Sequence, residues 1–309
     1  MWIHGVAMII DDYHGSSRLY LICFWFVFIV TTHAALAGEA IDRSERPAAT
    51  MPRQQTTFQA DAAGQANPEG LLLLFGVHHR WIMGMDDTLG IPSSYVQAGM
   101  GIGTTPAYGR ANVHVEWLPL IFAKVRLQYD VFRFYGRDTA LLSFSSADAR
   151  FGKHEVKAKE GAEEAGYGNR VLIRPTFYAK AGPFIISNQT DLAYFHFTGT
   201  GPYFLDWSYE TLVKNGDHVW ENRTNVLVQA WKGVGQESLL TGPFWEITHA
   251  AAADLTRRRA GVMVFWVPRN AMTPAGRLRM FAQYGIYVSD RNREGEGFGA
   301  IGIGVDYDL

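Results

Sequence analysis

Cysteine is nearly absent. Cys23 is the only one in 309 residues, and it sits inside an apolar run near the N-terminus. One thiol rules out an internal disulfide and a cysteine-based metal site. Neither sign of charge is in excess, with 28 Lys and Arg against 30 Asp and Glu. A chain this close to neutral gives no case for nucleic acid, and no nucleic-acid partner is expected. No stretch repeats apolar residues at the 3.6-residue helical period, and no apolar run reaches the roughly 20 residues of a membrane-spanning helix. G-x-S-x-G does not occur, which excludes the common nucleophile elbow. Residues 101–103 and 297–304 are glycine-rich but precede no helix pattern. Glycines alternating along a strand make room for a neighbour's side chain; a phosphate loop needs a following helix.

What is present begins with an export pattern. Arg18 precedes the apolar stretch Leu19 to Val30, and Ala35-Leu36-Ala37 supplies a small-x-small cleavage site. Residues 1–37 are expected to be a cleaved signal peptide. Its removal takes Lys+Arg from 28 to 27 and Asp+Glu from 30 to 28, a net charge of −1. Residues 38–69 are rich in Ala, Gln, Pro and charge without periodicity, and read as a disordered periplasmic lead-in.

From residue 70 to 309 the texture is that of a β-barrel: abundant aromatics and segments of alternating polarity. Lys124, Arg126, Gln128 and Asp130 interleave with Val125, Leu127, Tyr129 and Val131. Ten strands are expected, at 71–82, 108–117, 120–135, 168–180, 183–198, 221–231, 239–249, 258–267, 277–289 and 296–309. Twelve is the runner-up, because 95–103 alternates glycine with Val96, Ala98, Met100 and Ile102. Residues 203–220, around the turn Lys214-Asn215-Gly216-Asp217, read as a hairpin projecting above the membrane. Aromatics near strand ends (Trp81, Trp117, Tyr135, Tyr178, Phe184, Phe197, Trp220, Trp231, Trp266, Tyr287, Tyr307) suit interfacial girdles.

In the last stretch, GFGAIGIGVDYDL, Ile301, Ile303, Val305, Tyr307 and Leu309 alternate with small or acidic residues. This end resembles the closing strand of Gram-negative outer-membrane β-barrels, with Leu309 in place of the usual Phe. The resemblance implies an all-β transmembrane antiparallel up-and-down barrel in the bacterial outer membrane, surrounded by lipid and lipopolysaccharide. It also implies that Tyr307 and Leu309 form the assembly signal read by the barrel-insertion machinery.

Strand phase puts Glu116, Lys124, Arg126, Asp130, Arg170, Arg174, Asp191, Glu221, Arg223, Arg277, Arg279, Asp306 and Asp308 on the lumen face, where they are expected to pair and narrow the interior. A final hairpin centred between Arg291 and Glu294 would set Arg279 opposite Asp306 and Arg277 opposite Asp308. His114 and Glu116 share a face at i, i+2, as two ligands or a base and its orienter would, or as members of a polar network. His78 and His79 point to opposite faces. Ser145, Ser146, Asp148, His154 and Glu155 share one loop, and Asp86, Asp87, Asp290, Glu294 and Glu296 sit at the expected outer rim. No catalytic residue, metal site or cofactor is assigned. The expected function is a narrow or plugged channel or transport protein for small or hydrophobic solutes. The alternative is a structural or surface-interaction barrel acting through its extracellular loops; an outer-membrane hydrolase with a rim site comes third.

Overall fold

The computed structural model describes residues 53–86, 91–138, 140–232, 238–268, 272–273 and 276–309. The expected signal peptide and Asp87 lie outside them. In chain order the strands are β1 (Gln54–Ala66), β2 (Gly70–Asp86), β3 (Ile91–Thr104), β4 (Tyr108–Leu120), β5 (Ala123–Tyr135), β6 (Ser143–Phe144), β7 (Ala165–Ala181), β8 (Phe184–Phe197), β9 (Tyr203–Asp206), β10 (Thr211–Lys214), β11 (His218–Lys232), β12 (Ser238–Ala250), β13 (Leu255–Val267), β14 (Met272–Thr273), β15 (Gly276–Ser289) and β16 (Gly297–Asp308). A short helix, α1 (Lys153–Lys157), lies between β6 and β7.

Twelve of the strands are long, and each pairs antiparallel with its neighbours. β13 pairs with β15 and β16 with β1, so the ring of twelve long strands closes on itself. The fold is an all-β barrel of the outer-membrane type with twelve strands, the runner-up count. The two strands beyond ten are β1 and β3. β1 occupies 54–66, inside the segment expected to be a disordered lead-in, so the barrel begins 16 residues before Gly70. β3 occupies most of the expected outer loop 83–107. With β1 in front of it, β2 also runs in the direction opposite to the one expected.

One end of the barrel carries the start of β1, the end of β16 and the short connections β4–β5 and β7–β8. The other carries the long segments 136–164 and 198–217. Along β4 and β5 the residues exposed on the outside are apolar, Val113, Val115, Leu127 and Tyr129 among them, while Glu116, Gln128 and Asp130 are buried on the inside. This is the period of two made visible. Trp81, Trp117, Trp220, Trp231 and Trp266 are exposed as girdle residues should be, but Phe197 and Tyr287 are buried in the interior. Their phase along β8 and β15 places them inside.

A barrel of about 8 strands is filled by its own side chains, and a twelve-stranded one is wider. Here the extra width is filled at one end by the long connections. β6, β9 and β10 form a separate three-stranded sheet. Leu142, Phe204, Leu212 and Val213 from these segments pack with Leu172 and Phe195 of the barrel wall, all completely buried. The residues expected to project as a hairpin therefore fold inward, because their apolar side chains find a core there. Burial of each such side chain contributes about 1.5–3 kcal/mol, which makes this a packed cap.

The final hairpin differs from the expected register by two residues. Arg277 faces Asp306 and Arg279 faces Gly304. The turn forms early because Asp290 accepts the amides of Asn292 and Arg293 at 2.7 and 2.9 Å. A slip of two preserves the faces, and the expected ion pairs form diagonally: Arg279–Asp306 at 3.3 Å and Arg277–Asp308 at 3.9 Å. Arg279 also crosses β16 to reach Asp61 on β1 at 2.7 Å. Gly304 permits this crossing, since a Cβ there would collide with the Asp61 carboxylate. Arg279→Glu should therefore lower stability in a denaturant titration by about 0.2–1 kcal/mol for each cross-strand ion pair it breaks. Asp306→Arg added to it should restore part of that stability.

Candidate functional site

The lumen divides into a latch under the cap, a row of half-open arginines, and a polar cavity. Glu210, at the turn between β9 and β10, forms the latch. Its φ of +48° lies in the left-handed region, which non-glycine residues occupy at a cost. In that position its carboxylate meets Arg257 and Arg259 of β13 at 2.8 Å each, and Arg293 at 3.3 Å. The Tyr287 hydroxyl donates to it at 2.7 Å, and Gln65 of β1 at 2.8 Å. Burial alone would push the Glu210 carboxyl up, but the three guanidiniums hold it below its ordinary value. Next to it in the turn, Tyr209 donates to Asp191 at 3.2 Å.

Beneath the latch Glu246 of β12 is the centre of the ion-pair network. Arg223 and Arg259 bond it through Nε at 2.8 Å each, and Arg257 at 2.9 Å. Glu221 accepts from Thr248 at 3.0 Å and lies 3.5 Å from Arg257. Of these residues the sequence pointed to Arg223 and Glu221 only. Glu210 and Arg293 went unseen because they lie in loops whose inward turn no period signals, and Arg257 because it precedes the expected start of its strand. Glu246 and Arg259 lie within expected strands, 239–249 and 258–267, where neighbouring residues do not alternate clearly in polarity.

The remaining lumen residues pair around the wall. Arg170 bonds Asp130 at 2.9 Å, and Arg174 bonds Asp191 through Nε at 2.7 Å. Glu116 takes Arg126 at 3.0 Å, Lys124 at 3.3 Å and the Tyr95 hydroxyl at 2.6 Å. These pairs have a direction. The side chains of Lys124, Arg126, Arg174 and Arg223 are 23–32% exposed, whereas their partners Glu116, Asp191 and Glu246 are 1–5% exposed. Open space inside the barrel thus meets cations with the carboxylates behind them.

The cavity lies among β1 to β5, with a volume of about 100 Å³. Gln59, Asp61, His78, Arg110, Asn112, His114, Arg126 and Gln128 line it, together with Gly76 and Gly101. Those two glycines are paired across β2 and β3. Glu116 is engaged elsewhere and His114 is not its partner, so the base-and-orienter arrangement does not form.

Several of the other candidate groups have structural partners. His79 faces outward and shares a hydrogen bond with Thr56 at 2.8 Å. Ser146 Oγ accepts the Asp148 amide at 3.1 Å, and Asp148 lies 3.8 Å from Arg291. Glu296 accepts from Asn67 at 2.9 Å. Among the described residues no three of His, Cys, Asp or Glu converge on a common metal position.

No protein-family model matches the chain, and no curated protein does. Solved structures do. The β domain of the Bordetella autotransporter BrkA is 10% identical and covers 84% of this chain and 100% of its own, with a TM-score of 0.43. An outer membrane channel from Pseudomonas putida F1 is 8% identical over 88% of this chain and 100% of its own, TM-score 0.43. The translocator domain of the autotransporter NalP from Neisseria meningitidis is 10% identical over 95% and 98%, TM-score 0.38.

Proposed function

We propose that this protein resides in the bacterial outer membrane as a narrow channel for small polar solutes, closed in this conformation by its own long connections. The observation that carries the reading is Glu210, folded into the barrel mouth and clasped by Arg257, Arg259 and Arg293. Membrane residence is supported by the exposed apolar belt, including Met100, Ile102, Val113, Val262 and Ile301. Lipid and lipopolysaccharide are then the surroundings. On this reading Tyr307 and Leu309, at the end of β16, act as the signal taken up by the insertion machinery.

Planar-bilayer recording tests the closed state. Wild-type protein at neutral pH should give no large steady current. The Glu210 carboxyl is held below its ordinary value of 4.5, so its contribution to closure is complete above that value and is lost as pH falls through the lower one. Well below pH 4.5, brief openings should appear without a steady current, because packing in the cap outweighs a single ionic latch. A large steady current at neutral pH refutes the closed channel; identical traces at neutral and acid pH refute the latch. A second reading, a surface-interaction barrel, is favoured by the cap itself, which is a folded surface with its own sheet and helix.

A further inference from the structure

We infer that the cavity among β1 to β5 is a binding site for a small oxyanion, either a carboxylate or a phosphate. This deepens the channel reading and rests on it for the solute's route. Most interior guanidiniums and carboxylates of the barrel are matched at hydrogen-bonding distance. At the cavity the matching stops. Neither ring nitrogen of His114 meets a hydrogen-bond partner from the protein, and both are buried. Arg110 Nε is likewise without a hydrogen bond, with Asp130 at 3.6 Å. Asp130 is meanwhile satisfied at closer range, by Arg170 at 2.9 Å and Gln128 at 2.8 Å.

The lining has an excess of donors. Arg110, the partly exposed Arg126 (paired with Glu116 through Nε at 3.0 Å) and one N–H from each histidine face Asp61 as the only carboxylate of the lining, and Asp61 is occupied by Arg279 at 2.7 Å. A group that brings acceptors is what such a site lacks. Space is provided by backbone. Gly76 and Gly101 leave that part of the wall without side chains, and Gly99 makes room for the His114 ring, which a Cβ would approach to 2.7 Å. The volume accommodates several waters or one small oxyanion.

The test is calorimetric titration of the full chain, folded in detergent, with inorganic phosphate and separately with acetate. Wild type should bind at least one, and which one binds assigns the oxyanion. His114→Leu removes two nitrogens on which no protein group depends, so the variant should stay folded by gel heat-modifiability. It should bind about tenfold more weakly or worse, the effect of losing one hydrogen bond to a charged group. Arg110→Met is the second variant and should weaken binding at least as much. Failure of both anions to bind wild type overturns the site, as does equal binding by wild type and both variants. Binding to a barrel that never conducts, even without its cap, refutes the channel and leaves the site standing. Conduction without binding does the reverse.

Discussion

Replacing residues 199–216 with a short glycine-serine turn should convert a silent barrel into one that passes a large, steady current. The deletion removes β9, β10 and the Glu210 latch together, and with them Phe204, Leu212 and Val213, the buried centre of the cap. The remaining connection, 136–164, then loses the sheet partner of β6 and the Phe204 and Leu205 side of its core. Its hold on the mouth, through Leu141, Leu142 and the Phe151–Asn292 hydrogen bond, should loosen. The twelve-stranded wall is closed by its own backbone pairing and should survive, as retained heat-modifiability would report. The current should favour anions. With Glu210 gone, Arg257 and Arg259 share Glu246, Arg293 loses its Glu210 partner, and the half-exposed cations of the lower lumen are unchanged. A folded barrel that remains silent would end the channel reading and favour the surface-interaction one.

The largest loss of stability is expected from Glu246→Leu. Glu246 is 1% exposed and is bonded by three arginines. Removing one partner from a buried ion pair costs about 3–5 kcal/mol, because the other charge is left without compensation. Arg257 and Arg259 keep Glu210, so most of the cost falls on Arg223, which bonds Glu246 alone in this network. Arg223→Met added to Glu246→Leu should therefore recover a substantial part of the stability, although it deletes a further charge. Urea unfolding in lipid vesicles gives both numbers. A double variant less stable than the single one would mean that Arg223 is not the uncompensated group.

The barrel and its polar face were legible in the sequence where side chains alternate strongly, as in 124–131. They were not where one face is small. β1 reads QQTTFQADAAGQA, and its outward residues after Phe58 are Ala60, Ala62 and Gly64, too small to contrast with Gln59 and Asp61. β3 has the reverse defect, glycines on its inner face at 99, 101 and 103. The lumen charges could be placed by phase alone, but the latch could not. It depends on a loop returning into the barrel, and that is decided by Leu141, Leu142, Phe204 and Leu205 finding apolar wall around Phe132 and Phe195. No local period reports such a long-range preference, and the charges scattered through 136–164 point the other way, towards solvent. The cavity at His114 escaped for a related reason: it is defined by what Gly76 and Gly101, partners across β2 and β3, leave empty, and β3 falls in an expected loop.

The pairing of β1 with β16 bears on how the chain assembles. Thr57 and Asp308 are partners 251 positions apart, whereas the other ladders between long strands join segments much closer in sequence. The entropy of closing a flexible loop grows as about (3/2)RT ln n, roughly 5 kcal/mol for a separation of this size. Neighbouring hairpins carry far smaller penalties, so they can form one by one as an open, curved sheet. The seam can be made only when the last strand arrives, and Arg279, reaching over Gly304 to Asp61, ties three strands across it at once. Until then β1 and β16 are both exposed sheet edges. The order of events is thus written into chain separation: hairpins first, seam last, and the interval between them is when the protein is most open to pairing with the wrong strand.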